Sequence, residues 1–318
     1  MSGAGTRLGV DLGTTWTAAA LRRGGHVTAL DLGTGAPAMP SVVALDGEAV
    51  VVGERAERQL LSDPTTGLRE CKRRLGDTTP MVMGGRPYGA EALMGHMLRH
   101  VVEVATAAAG GPPDEVVLTH PANWGEYKLD LLREVGRQAG VGEVTLVPEP
   151  VAAALHYASL GRLSTGDVVA VYDFGGGTFD ATVVRCGESG AEVLGRPEGL
   201  ERLGGVDLDQ IVVLHVDEAL DGRLRELDTT DPEGRRALAR LRAECTSAKE
   251  ALSDDTEVAI PVALPGLTTE VRLTRDELES AARARIADTL GALDRTIADA
   301  GVDPSTLTGV LLVGGSSR

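Results

Sequence analysis

Positive charge, aromatic rings, cysteine and long apolar runs are all scarce in this chain of 318 residues. Asp and Glu number 47 against 31 Lys and Arg, a formal net charge of −16. Binders of nucleic acid or of anionic membranes carry a basic patch, so a balance this acidic argues against both. An anionic ligand would have to be held by backbone N–H groups, a few placed cations or a metal ion. Aromatic residues make up only 3% of the chain, which argues against base-stacking platforms. The three cysteines, Cys71, Cys186 and Cys245, are odd in number, far apart and never in a C-x-x-C pattern. They indicate neither a disulfide framework nor a zinc site. No apolar stretch approaches the roughly 18–20 residues of a membrane helix. The start, MSGAGTRLGV, has no apolar leader core. A cytoplasmic protein is the expectation. Lysine is also rare: only Lys72, Lys128 and Lys249 occur among the 31 basic residues, so each invites a question about its role.

Length and composition suit about two globular domains with a real hydrophobic core. Hydrophobic content is 42% and charged content 25%, near the globular average. An internal repeat organises the chain. RLGVDLGTTWTAAALRRGGHVTAL opens the first half, and VVAVYDFGGGTFDATVVRCGESGAEVLG opens the second. Each reads as an apolar strand, an Asp, a Gly-rich turn, a second strand, another turn and a third strand. After the first meander, β-type residues around Val42–Val43 and Val50–Val52 lead to a short helix near Glu54–Leu61. A Gly/Pro-punctuated stretch from Gly76 to Gly89 precedes a helix from Ala90 to about Ala109. A buried strand at Glu115–Thr119, a helical period over Trp124–Ala139, a strand-and-turn VGEVTLVPEP and a helix VAAALHYASL follow. The second half predicts helices at about Asp207–Ala219 and Arg235–Leu252, a hairpin, a long helix and a final strand ending in Gly-Gly-Ser-Ser. Strands alternating with helices predict an α/β fold with largely parallel sheet connections.

The glycine turns carry the chemistry. Gly13-Thr14-Thr15 follows a buried strand and an acid, and Gly175-Gly176-Gly177-Thr178 repeats the arrangement in the second half. Glycine lets backbone approach a phosphate closely, while hydroxyl and N–H groups donate to its oxygens. Two such hairpins facing across a cleft can grip a polyphosphate from both sides. Neither turn is a Walker loop, and β-type residues follow both, so neither opens a helix as G-x-G-x-x-G does. Asp11 and Asp173 place carboxylates beside the predicted phosphates, where they would repel the anion unless a cation intervenes. Mg²⁺, which keeps several waters and takes one or two carboxylates, suits such a place. A third turn, Gly314-Gly315-Ser316, ends the last strand and suits close packing of a nucleoside.

These three turns, in this order, resemble the actin-like ATPase superfamily of sugar kinases, actin-like filament proteins and DnaK-type heat-shock chaperones. Further segments are similar to the chaperones. They are Cys71-Lys72-Arg73-Arg74-Leu75-Gly76, Thr119-His120-Pro121-Ala122, Pro148-Glu149-Pro150-Val151-Ala152-Ala153-Ala154, Leu203-Gly204-Gly205-Val206-Asp207, and the stretch from Cys245 to Ser253. The resemblance implies a two-lobed actin-like α/β fold with a duplicated meander core and an inserted subdomain in each lobe. The lobes would be residues 1–162 with an insert at about 40–112, and 163–318 with an insert at about 205–290 and an adenosine turn at 314–318. It implies slow ATP hydrolysis coupled to lobe rotation, with ATP/ADP and Mg²⁺ as cofactors. Gly13, Thr14, Thr15, Trp16, Gly175, Gly176, Gly177 and Thr178 would hold the phosphates. Asp11, Asp173 and Glu149 would serve the metal shell, and Lys72, Glu149 and Thr178 would position the attacking water. Gly204, Gly205, Lys249, Ser253, Gly314, Gly315, Ser316 and Arg318 would surround the nucleoside. Family partners are client peptides, a J-domain co-chaperone and a nucleotide-exchange factor. Nucleic acid and membrane are not expected partners, and a monomer is expected.

Departures from the pattern bear on the nucleoside. Thr246 stands where the family has a ribose-binding glutamate, and Glu250 replaces a basic residue that stacks on adenine. A guanidinium can stack on a base, and a carboxylate cannot. Val206 replaces an acid. Family members also continue past the third turn, so a peptide-binding domain is expected to be missing from this chain. Two other readings stay open: a non-hydrolysing nucleotide sensor or actin-like scaffold, and a small-molecule kinase of the same superfamily.

Overall fold

The computed structural model describes residues 5–188 and 190–317. The first half opens with β1 (Arg7–Leu12), β2 (Trp16–Arg23) and β3 (His26–Ala29), an antiparallel meander, followed by β4 (Ala38–Pro40), which pairs with β2. A small three-stranded sheet of β5 (Val43–Asp46), β6 (Ala49–Val52) and, after α1 (Glu54–Ser62), β7 (Gly67–Leu68) comes next. The hairpin β8 (Met81–Met83) and β9 (Arg86–Tyr88) precedes α2 (Ala90–Ala109). Then β10 (Glu115–His120), α3 (Glu126–Gln138), β11 (Val144–Pro148) and α4 (Glu149–Ser159) complete the half. The main sheet runs β11-β10-β1-β2-β3, with β10 parallel to both β1 and β11. Alternation drives it. Leu8, Val10 and Leu12 point inward from β1, and meet Leu93, Met97 and Val101 of α2 and Leu132 and Val135 of α3 in one core.

The second half repeats the plan. β12 (Val168–Phe174), β13 (Phe179–Cys186) and β14 (Ala191–Leu200) form the second meander. An insert follows: α5 (Gly205–Ala219), α6 (Pro232–Ala251) and the hairpin β15 (Glu257–Leu264) and β16 (Leu267–Thr274), packed on a core of its own around Val212, Val216, Leu241, Cys245, Ile260 and Leu273. α7 (Arg275–Asp299) returns to the sheet, and β17 (Gly309–Val313) joins β12 in parallel. The order is β14-β13-β12-β17. All but one residue of β13 is buried, because helices cover both faces of this strand. Ala292 and Ile297 of α7 lie on one face. Ala154 of α4 lies on the other, with Val169, Val171, Val184 and Leu311. α4 therefore begins at the end of the first sheet and rests its body on the second.

Local chemistry sets these boundaries. Asp231 accepts from the backbone N–H groups of Glu233 (2.8 Å) and Gly234 (3.0 Å), with Pro232 opening α6. Thr274 and Glu277 form a capping box at the start of α7. Gly110, left-handed at φ 76°, ends α2. The sequence placed most elements closely. It did not show the β8–β9 hairpin within the Gly/Pro-rich stretch, where each strand has three residues. It also read Pro148-Glu149-Pro150 as a turn, whereas α4 starts at Glu149. Proline in the first helical turn costs no hydrogen bond, so the two prolines flank a start.

Candidate active site

The repeated Gly-rich turns join antiparallel strands, β1 to β2 and β12 to β13, within mixed sheets rather than the largely parallel ones expected from the sequence, and face each other across a cleft of about 1760 Å³. Contact between them is close. A Cβ on Gly176 would overlap the side chain of Thr15, and one on Gly177 would lie 2.8 Å from Thr14 Oγ1 and 2.9 Å from Arg73 Cδ. Only glycine allows the turns to meet this way. The third turn closes on the second. Ser316 Oγ donates to the Gly175 carbonyl (2.9 Å), and the N–H groups of Gly205 and Val206 donate to the carbonyls of Gly175 (3.0 Å) and Gly176 (2.8 Å). Gly314 is left-handed at φ 84°, and a Cβ there would sit 2.7 Å from Asp173 Oδ1.

Asp11, Gly13, Thr14, Thr15, Trp16, Lys72, Glu149, Asp173, Gly175, Gly176, Thr178, Gly205, Lys249, Ser253, Gly314, Gly315 and Ser316 all line this one cleft. Gly177 and Gly204 are buried behind its wall, where a Cβ on Gly204 would lie 2.6 Å from Gly177 backbone. Arg318 lies outside the described residues. Thr246 and Glu250, the departures noted above, also line the cleft. So does every lysine of the chain.

Lys72 follows a tight turn in which Glu70 is left-handed (φ 57°) and bonded to Arg73 (3.0 Å). Its ammonium pairs with Glu149 at 2.7 Å and lies 3.8 Å from Asp11, whose Oδ1 accepts from Thr119 Oγ1 at 3.2 Å. Burial works to lower its pKa, but the charges of Glu149 and Asp11 prevail and hold it above the ordinary lysine range. The acids show the opposite balance. Burial, then the charges of Glu149, Asp180 and Asp11, raises Asp173 to about 8. Burial and Glu149 raise Asp180 to about 7. Burial also raises Glu149, against the pull of Lys72. Such a set is short of positive charge, which a cation or a cation–phosphate complex would supply. Among the described residues no three His, Cys, Asp or Glu gather into a ready-made metal cage. A cation held here would draw much of its shell from water and phosphate, as Mg²⁺ commonly does.

Sequence reasoning missed four cleft residues. Asp180 is buried and accepts from Asn123 Nδ2 at 2.9 Å, linking the lobes. Trp124, next in the chain, lies under the ammonium groups of Lys72 (5.9 Å) and Lys128 (5.5 Å). Lys128 reaches Glu201 of the second lobe at 2.8 Å. Asp180 had a signal: it falls two residues after Thr178, the spacing that turns side chains to one side of an extended chain. Asn123 and Trp124 had none beyond the rarity of tryptophan. Elsewhere in the cleft Lys249 pairs with Asp209 (2.7 Å) and donates to the Gly205 carbonyl (3.1 Å).

A family model described as Hsp70 protein matches the chain in two overlapping segments, residues 7–83 and 77–318. The chain belongs to the Hsp70 family and has its two-lobed, actin-like α/β fold. Members of that family are nucleotide-binding chaperones with ATPase activity that work with clients and co-chaperones. Among the described residues no helix is long and apolar enough to cross a membrane.

Proposed function

We propose that this chain binds ATP and Mg²⁺ in the cleft and hydrolyses ATP slowly, its lobes, residues 1–162 and 163–318, rotating with nucleotide state. The observation that carries this reading is the Lys72–Glu149 ion pair, 2.7 Å long, set beside two facing glycine turns. Asp11 and Asp173 would hold the metal shell, with Glu149 ordering it. Bound there, the cation would neutralise phosphate charge. The backbone of Gly13, Gly175, Gly176 and Gly177 and the hydroxyls of Thr14, Thr15 and Thr178 would hold the phosphates. Phosphoryl transfer to water asks for positioning and charge neutralisation more than covalent chemistry. Lys72, kept cationic by its carboxylate neighbours, supplies a fixed charge on the phosphate side. Glu149 orients a water. Gly205, Lys249, Ser253, Gly314, Gly315 and Ser316 would line the nucleoside end.

The deciding variant is Lys72→Ala, assayed for both binding and turnover. It is expected to lower turnover by about 100-fold or more, the scale of losing one main electrostatic contact, while ATP stays bound. Undiminished turnover would remove Lys72 from the mechanism. Adding sugars and small acids to the same assay distinguishes the kinase reading, which requires acceptor-dependent ADP release. The sensor reading draws on Thr246 and Glu250, both in the cleft wall. It requires binding without turnover.

A further inference from the structure

Of the chain's three lysines, two lie over a single tryptophan ring. Lys72 and Lys128 hold their ammonium groups 5.9 and 5.5 Å from the centre of the Trp124 ring. The indole is half-buried against the first-lobe core, and a bond from its backbone N–H to the Pro121 carbonyl (3.2 Å) closes the turn that carries it. The indole turns about only two side-chain bonds, whereas Lys72 is a long chain with several. Lys128 extends the arrangement across the cleft through its 2.8 Å ion pair with Glu201. Asn123, one residue before the indole, makes the second crossing, to Asp180 at 2.9 Å. The first-lobe segment 121–128 thus touches the opposite lobe twice and the Lys72 ammonium once.

We infer that Trp124 is a positioning residue for Lys72, and that the Lys128–Glu201 bridge between the lobes acts on Lys72 through the same ring. The indole face attracts a cation, and tryptophan does so more strongly than the other aromatic residues. At Lys72 this attraction adds a third direction to the pulls of Glu149 and Asp11 and fixes where the charge sits. At Lys128 it links the indole to the relative placement of the lobes. The catalytic meaning rests on the function proposed above; the placement of Lys72 does not.

The test uses that independence. With only three lysines, acetylation by acetic anhydride followed by peptide mass analysis reads each one separately in the nucleotide-free, 318-residue chain, and Lys249 is the internal reference. Trp124→Phe and Trp124→Met fill comparable space, but only Phe keeps a ring face. Trp124→Met is expected to speed acetylation of Lys72 relative to Lys249 by about threefold or more, the scale of a partly exposed cation–π contact, and Trp124→Phe by less than about twofold. Lys128→Gln and Glu201→Gln, at more accessible positions, are expected to speed it too, and Lys128→Gln to add nothing in the Trp124→Met background. Equal Lys72 rates in the Phe and Met variants would overturn the positioning role, and a Lys72 rate untouched by Lys128→Gln would overturn the coupling. In the ATPase assay Trp124→Met is expected to lower kcat with KM nearly unchanged. A parent chain that does not turn over ATP would refute the proposed function and leave the acetylation result standing.

Discussion

The cleft is defined at the scale of single residues by glycines with no room for a side chain and by buried acids whose protonation the site shifts. Gly176 faces Thr15 across the lobes with no room for a Cβ. Gly176→Ala should therefore leave the fold intact but hold the turns apart, weakening nucleotide by about tenfold or more, a loss of ~1.4 kcal/mol or greater. Calorimetric titration of the variant checks this; unchanged affinity would mean that the turns need not meet. The buried acids make a pH prediction. Asp173 is raised to about 8 and Asp180 to about 7. Between the ordinary carboxylate range near ~4 and these values the folded chain binds more protons than the unfolded one, so stability falls as pH rises. The melting temperature in EDTA without nucleotide should drop from about pH 4 to about pH 8 and level off above, and Asp173→Asn should flatten the slope. A melting temperature independent of pH over that range would contradict the raised values. The repeated Asp and Gly-Thr turns were legible because their chemistry is local. Asn123–Asp180 and Lys128–Glu201 were not, since each joins residues of different lobes that only folding brings together.

Secondary elements show a similar division. Amphipathic helices such as α6 and α7 and the apolar strands could be read from periodicity, because one face of each is dictated by burial. The small β8–β9 hairpin could not, as its strands are too short to show a period. Nor does any pattern within α4 reveal that Ala154 packs on the second sheet while Glu149 stands at the end of the first. That placement makes α4 the element joining the Lys72–Glu149 ion pair to lobe geometry. The start of α7 is a simpler matter. Thr274 Oγ1 and its N–H both bond Glu277, the latter at 2.8 Å. Thr274→Ala should cost about 1 kcal/mol, lowering the melting temperature by about 2–4 °C with nucleotide affinity unchanged. A loss of affinity as well would show that the cap supports the cleft directly, through Arg275, Leu278 and Glu279 in its wall.

The molecule as a whole is an acidic, two-lobed body that concentrates its few lysines where an anion would sit. A net charge of −16 would turn polyphosphates away in solution. Lys72, Lys128 and Lys249 all lie in the cleft between the lobes, among glycine turns from both. The duplicated meander made the two-lobe plan legible from the sequence. The contacts across the cleft, set by the relative placement of two sheets, had to be seen in three dimensions. The most direct test of the account is a calorimetric titration of the full chain with ADP and ATP, with Mg²⁺ and again with EDTA. Saturable binding of one nucleotide per chain is predicted, weaker by about tenfold or more when Mg²⁺ is removed, a difference of ~1.4 kcal/mol. No detectable binding of either nucleotide at millimolar concentration with Mg²⁺ present would contradict it.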